Sequence, residues 1–252
     1  MSRFIIINNW HTSFLNYRIK NKAGIINIWI EILKKLVLKD YEITKKIPQI
    51  RKNEIIIISG IDNDNPRIFM ADPNEENHKK MVSISCPLSI SFKKIDDGEI
   101  DAIEVKIFNE DISEKKLILI KHVINRLVED NEIKPIDYAI SEGTREYDEE
   151  IEQTSNDNID NSFLYEFITR ILSFEEGYIR YDFDEKNSSE KVDEYDKKYL
   201  HPTYHLDIFL HTYSTFKVGL SKKINIIDFQ NILDPNINCH FLNNINNIKD
   251  KK

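Results

Sequence analysis

The chain has 252 residues, of which 40% are hydrophobic and 31% are charged, and its formal net charge is −8. It is long enough for one large domain or two small ones with a sizeable core. The longest apolar stretch, residues 24–38, is interrupted by charged side chains, and the N-terminus lacks the pattern of a signal peptide. We therefore expect a cytoplasmic protein without a membrane segment.

The small numbers of cysteine and glycine exclude several kinds of site. The two cysteines form no CxxC pair, which fits a reducing compartment and gives no zinc signature. The six glycines form no P-loop and no GxGxxG motif, so we predict no cofactor. The chain also contains no GxSxG and no HExxH motif, and whether it is an enzyme stays open at this point.

The first half of the chain is predicted to be mainly antiparallel sheet with one long helix. Residues 24–39 place apolar side chains at three- and four-residue spacing, which predicts the helix. The turn signal Asp96-Asp97-Gly98-Glu99 predicts a β-hairpin between two alternating segments. The predicted strands are residues 3–7, 54–59, 67–70, 81–85, 88–95 and 100–108.

The second half alternates helical and strand patterns. Helices are predicted at residues 113–129, 161–174 and 226–233 from their apolar periodicity. Strands are predicted at residues 177–183, 201–210 and 215–220. The whole pattern predicts an α+β fold, a mainly antiparallel sheet with helices packed on one face.

Charge and composition divide the chain into three parts. We predict a β-rich half with one long helix at residues 1–141, an acidic loop or linker at 142–161 and an α/β half at 162–240. Alternatively, the two halves form one continuous domain. Because the acidic part has few large apolar side chains to offset the entropy lost on ordering, we expect it to be the most mobile internal segment. A second interpretation is a docking surface for a basic partner.

A basic stretch near the N-terminus is a candidate nucleic-acid contact. Ten Lys or Arg residues lie between residues 18 and 52, against three acidic residues, and aromatic residues flank them. This pattern is typical of a surface that contacts phosphates, although a solvated helix face would look the same. The candidate nucleic-acid-binding residues are Lys34, Lys35, Lys45, Lys46, Arg51 and Lys52.

The motifs RYD and HPTYH, on two predicted strands of the second half, hold the side chains best suited to chemistry. Residues two or four apart on a strand share a face, so Arg180 and Asp182 should face one way, as should His201, His205 and Asp207. If the two faces match, these side chains converge. The candidate catalytic residues are Arg180, Asp182, His201 and His205.

Three interpretations of this cluster remain open. Two histidines can act as general base and general acid while an arginine stabilises a phosphorane. Two imidazoles and a carboxylate can instead bind a divalent metal ion. Alternatively, the residues form a buried polar network that fixes the register of the strands.

The same motifs carry a resemblance. Over residues 160–235, the chain resembles an uncharacterised bacterial family, catalogued as a domain of unknown function, with an RYD strand and an HPxxH strand. Such proteins often have His-x-His on the second strand, where this chain has His205-Leu206-Asp207, and we therefore predict no metal site. Genes of that kind often lie near phage-defence and mobile elements.

Two functional hypotheses follow. The resemblance, the uneven charge and the lack of a recognised catalytic motif favour an accessory or partner-binding protein of a bacterial defence or mobile-element system. Its partner would be a protein, a complex subunit or a nucleic acid, but not a membrane. The alternative is a small nuclease or phosphotransfer-type enzyme that uses the Arg/His cluster. An open cleft at the histidines would favour the enzyme, and a closed, buried network would exclude it.

Overall fold

The structure is a computed structural model that describes residues 4–8, 21–45, 55–59, 66–71, 80–94, 100–107, 110–130, 132–151, 161–184, 202–211 and 214–234. The helices are α1 (Lys22–Val37), α2 (Glu114–Leu127), α3 (Ile136–Ile151), α4 (Asn161–Ser173) and α5 (Ile226–Leu233). The strands are β1 (Phe4–Asn8), β2 (Glu42–Thr44), β3 (Ile55–Ser59), β4 (Arg67–Ala71), β5 (Lys80–Ser85), β6 (Leu88–Lys94), β7 (Ile100–Ile107), β8 (Glu110–Asp111), β9 (Val128–Glu129), β10 (Glu132–Ile133), β11 (Ile179–Phe183), β12 (Tyr204–His211) and β13 (Ser214–Gly219). Among the described helices, none combines the length and apolar character needed to cross a bilayer.

Eight strands form one antiparallel sheet in the order β13-β12-β11-β5-β4-β3-β1-β2. Strands β6, β7 and β8 form a second sheet, and β9 pairs with β10. The pairing of β5 with β11 sets Tyr181 opposite Met81, although these two residues are far apart in the chain. The large sheet therefore contains strands from both halves of the sequence, and its β11-β12-β13 end carries the RYD motif.

Helix α1 shows why the periodic segments become helices. Asn21 caps its first turn, because the side-chain Oδ1 accepts a hydrogen bond from the backbone N–H of Gly24 at 3.0 Å. The apolar stripe of the helix belongs to the same core as the inward-facing residues of the large sheet. Within this core, Trp29 Nε1 donates a hydrogen bond to the carbonyl of Ser85 at 2.9 Å, which ties α1 to the end of β5.

The large sheet is buried on both faces, which corrects one prediction. Along β4, Ile68 and Met70 belong to the core beside α1, whereas Phe69 and Ala71 belong to a second core on the opposite face. Helix α5 covers that second face, where the ring of Phe229 meets Phe69 edge to face at 5.8 Å. The α+β class and the mainly antiparallel sheet are confirmed, but the expectation that the helices pack on one face is wrong for α5.

The local patterns predicted most elements well. The hairpin of β6 and β7 forms as predicted, with Ile90 opposite Val105. Helices α1, α2, α4 and α5 begin and end within two residues of their predicted bounds. Helix α3 was not predicted.

Residues 142–151, predicted to be part of an acidic loop, instead form the second half of α3. The prediction is wrong for these residues, while residues 152–160 lie outside the described ranges. Gly143 lets α3 approach α2 so closely that a Cβ atom there would lie 2.5 Å from the Cα atom of Val123. On the same helix pair, Arg126 bonds to Glu146. Packing and ion pairs with α2 therefore order an acidic segment that composition alone marks as a loop.

We expect Gly143→Ala to lower the free energy of unfolding by about 1–3 kcal/mol. Gly→Ala inside a helix normally raises stability. Here the added methyl group would meet backbone atoms of Val123, so α2 and α3 would have to separate. Urea unfolding followed by circular dichroism measures the change.

The control is Ser141→Ala, at an exposed position of the same helix. It removes a hydroxyl group without adding a contact and should leave stability unchanged or slightly raised. If Gly143→Ala stabilises the protein as well, the close approach of α2 and α3 is incorrect.

Candidate functional site

Three adjacent strands bring the predicted chemistry together. The antiparallel register of β11 and β12 sets Arg180 opposite Asp207 and Asp182 opposite His205. Strand β13 pairs with the other side of β12 and sets Lys217 opposite Asp207. Because directly opposite residues share a face of a sheet, these five side chains form one group, which we call the polar cluster.

Asp207 is the centre of the polar cluster. It is 2% exposed and receives one cation from each neighbouring strand. Arg180 Nη2 donates a hydrogen bond to Oδ2 at 2.5 Å, and Lys217 Nζ donates one to Oδ1 at 2.6 Å. Burial alone would raise the pKa of Asp207, but the Lys217 hydrogen bond and the charge of Arg180 outweigh it and lower the pKa below its usual value.

Arg180 joins the two carboxylates of the cluster. Its Nε atom lies 2.6 Å from Asp182 Oδ2, an ion pair without the alignment of a hydrogen bond. The guanidinium also lies 5.7 Å from the ring centroid of Phe209, a cation–π contact. Burial lowers the pKa of Arg180, but the charges of Asp182 and Asp207 outweigh it and raise the pKa, so the group stays protonated. Its charge is therefore neutralised by groups of the protein itself.

The contacts of His205 assign its tautomer. Its Nδ1 lies 2.8 Å from the carbonyl oxygen of Pro202, which can only accept, so Nδ1 carries the hydrogen. The lone pair of Nε2 therefore faces Lys217 Nζ, which donates to it at 3.1 Å. The same Nε2 is 3.8 Å from Asp182 Oδ2 and 3.8 Å from Asp207 Oδ1. Burial and then the nearby Lys217 charge lower the pKa of His205, so the ring is neutral near pH 7.

The remaining predicted site residues either lie on or next to other elements or fall outside the described residues. His201 lies outside the described residues. Among the predicted nucleic-acid contacts on α1, Lys34 Nζ lies 3.8 Å from Glu31 Oε2, and Lys35 is bonded to Asp40. Lys45 is exposed after β2. The others, Lys46, Arg51 and Lys52, also lie outside the described residues.

Sequence reasoning missed Lys217, although it recognised the strand that carries it. His211 pairs with Ser214 at the tip of the β12-β13 hairpin. In a regular hairpin, this pair would set Asp207 opposite Val218. An irregularity between Phe209 and His211 shifts the register by one residue and sets Asp207 opposite Lys217 instead. Lys217, the single lysine of the predicted strand, was the available signal for a site residue. Its pairing with Asp207 could not be predicted, because it depends on the register shift.

Comparisons of the chain with family models, with curated proteins and with solved structures find no match.

The polar cluster itself contains two cations, two carboxylates and one neutral imidazole, so its formal charge is zero. Such a group can lock three strands in register. It also contains a ligand set, because atoms of Asp182, His205 and Asp207 lie within 4.8 Å of one another. Nitrogen and carboxylate oxygen ligands suit a divalent transition metal.

We expect Asp207→Asn to lower the free energy of unfolding by about 2–3 kcal/mol. The amide keeps the shape of the side chain but removes the charge that compensates Arg180 and Lys217. Urea unfolding at neutral pH measures the loss. The control is Glu149→Gln, which breaks an exposed pair with Arg145 and should change stability little. Equal effects of the two substitutions would contradict a central role for Asp207.

The lowered pKa of His205 predicts how stability depends on pH. Between the usual value of 6.5 and the lowered value, the unfolded chain binds a proton that the folded chain does not. The free energy of unfolding should therefore fall as the pH falls through this window. His205→Gln lacks the group and should lose less stability between about pH 7.5 and about pH 5. Urea unfolding at several pH values measures both curves, and parallel curves would contradict the prediction.

Proposed function

We propose that the protein is a non-catalytic, partner-binding subunit of a bacterial defence or mobile-element system. The observation that supports this most is the closure of the polar cluster. A general base must reach the proton that it removes, yet His205 is 1% exposed and both of its ring nitrogens face groups of the protein. The cellular setting is supported by the resemblance to bacterial proteins encoded near phage-defence genes.

The cations of the cluster point to the same conclusion. Stabilising a phosphorane requires an arginine or lysine whose charge is directed at the substrate. Arg180 is held by Asp182 and Asp207, and Lys217 is held by Asp207 and His205. A phosphorylated substrate would have to break the buried pair of Arg180 and Asp207 before it gained the guanidinium, which is costly, and it would have to compete with Asp207 and His205 for Lys217.

The chemistry of the partner is suggested by the C-terminal end of α3. Its last turn contains no basic residue, and Asp148, Glu149 and Glu150 there are exposed. Negative charge at this end of a helix opposes the helix dipole. Glu149 pairs with Arg145 and Glu150 with His122, but these two partners do not balance the three acids. The acids would attract a basic protein surface and repel nucleic acid. We therefore infer that the partner is a protein with a basic contact surface.

A phage-challenge assay with two variants separates binding from catalysis. His205→Gln removes the proposed general base and, if the protein is not an enzyme, should leave protection unchanged while the fold is retained. The double variant Asp148→Lys, Glu149→Lys should reduce protection, because it repels a basic partner. Lysines at this end of α3 favour the helix dipole, while Glu149→Lys removes the exposed pair with Arg145, so the melting temperature should change little.

The controls are the melting temperature of each purified variant and Glu132→Lys. Glu132 is an exposed acid near the opposite end of α3, and its charge reversal should leave protection intact. Co-expression with the products of adjoining genes, followed by size-exclusion chromatography, should show a complex that the double variant loses. Protection lost by a folded His205→Gln and retained by the double variant would instead indicate a nuclease or phosphotransfer-type enzyme.

A further inference from the structure

We propose that Asp182, His205 and Asp207 form a binding site for one divalent transition-metal ion, which replaces the Lys217 ammonium group as the cation beside His205 and Asp207. One ligand atom of each residue lies within 4.8 Å of the others. This inference does not depend on the proposed partner-binding role, since a metal ion here can stabilise a binding protein as well as an enzyme.

The orientation of His205 is that of a metal ligand. Metal-bound imidazoles usually donate their second ring N–H to a carbonyl or carboxylate, which fixes the ring and directs the other nitrogen at the metal. Here Nδ1 donates to the carbonyl of Pro202 at 2.8 Å. This leaves a lone pair on Nε2, which lies 3.8 Å from both Asp182 Oδ2 and Asp207 Oδ1.

These distances fit a metal ion after small side-chain movements. Zinc lies about 2.0–2.2 Å from imidazole nitrogen and carboxylate oxygen, so two of its ligand atoms are at most ~4.4 Å apart. The two 3.8 Å separations from Nε2 satisfy this limit, and the two carboxylate oxygens, within 4.8 Å of each other, need at most a small movement to meet it. A set of one imidazole and two carboxylates suits zinc, cobalt, manganese or iron, whereas magnesium and calcium prefer oxygen ligands throughout.

Lys217 marks the position of a cation and can leave it. Its Nζ atom contacts two of the three ligands, 2.6 Å from Asp207 Oδ1 and 3.1 Å from His205 Nε2. It projects from β13, the last strand of the sheet, and its side chain is 33% exposed. A flexible lysine stem at a sheet edge can swing into water.

The formal charges of the cluster allow a metal ion to replace the Lys217 ammonium group. Without the ammonium group, the cluster contains Arg180 against two carboxylates, with neutral His205, and its formal charge is −1. A divalent ion then brings it to +1, which is closer to neutrality than the +2 that would result if Lys217 stayed. Metal binding and the Lys217 ion pair are therefore mutually exclusive states of the same site.

Titration of the whole chain with Co²⁺ tests this directly, because cobalt in a nitrogen- and oxygen-ligand site has visible absorption bands. The wild-type protein should bind one equivalent, and Zn²⁺ should displace it. Lys217→Met and Lys217→Gln remove the competing ammonium group and should each bind at least about tenfold more tightly. A rise in melting temperature on adding Zn²⁺ should follow the same order.

Two histidine variants complete the experiment. His205→Gln should lose the cobalt bands. His122→Gln should keep them, although His122 also lies beside two carboxylates, those of Glu146 and Glu150. Circular dichroism and the melting temperature establish that each variant is folded.

Four results would overturn the proposal. They are the absence of stoichiometric binding in the wild-type chain, binding by the Lys217 variants alone, unchanged binding by folded His205→Gln, and loss of binding in His122→Gln. The last result would mean that cobalt binds an adventitious surface site.

Discussion

The end of the large sheet depends on the charge of Asp207. A carboxylate buried to this degree costs several kcal/mol unless cations compensate it, and the two that do so come from different strands, Arg180 on β11 and Lys217 on β13. A slip of either pairing by one residue would turn Asp207 away from its partner, because neighbouring positions on a strand face opposite sides. Elsewhere apolar packing on both faces specifies the sheet, but here electrostatics specifies the register. The second core continues past this point on the other face through Tyr181 and Leu206, so the polar cluster and an apolar core share the same three strands.

Local pattern predicted the elements of this fold far better than their partners. The stripe of α1 and the turn before β7 act within about 10–15 residues, a range over which periodicity and turn chemistry are reliable. The pairing of β5 with β11 joins Met81 to Tyr181, and no local signal identifies it. The same limit explains α5. Its apolar stripe was recognised, but the strand that carries Phe69 is apolar on both faces, so the sequence does not indicate which face of the sheet α5 covers. In the structure, α5 covers the face that carries Phe69.

Helix α3 shows how tertiary contacts override composition. The acidic run and its few large apolar side chains predicted a loop. In the fold, Gly143 is the residue that admits the backbone of Val123, and Glu146 is the partner of Arg126. A glycine and an acid of the predicted loop therefore dock the helix on α2. The candidate site also depends on a contact that the local sequence does not show. Arg180, Asp182 and His205 were identified by face, whereas Lys217 required the register shift at Phe209, which no residue pattern in the strand announces.

The two cations of the polar cluster are not equivalent, and this difference decides what the cluster can do. Arg180 lies on an inner strand, contacts both carboxylates and rests against the ring of Phe209, so it is part of the permanent framework. Lys217 lies on the edge strand with part of its stem in water. Within the described part of the chain, His205 is almost fully buried, whereas Lys217 is the cation of the cluster that is more exposed to solvent. The chemistry that this geometry favours is consequently cation exchange at a fixed set of ligands. Proton transfer, which the sequence motifs first indicate, would require the whole cluster to open.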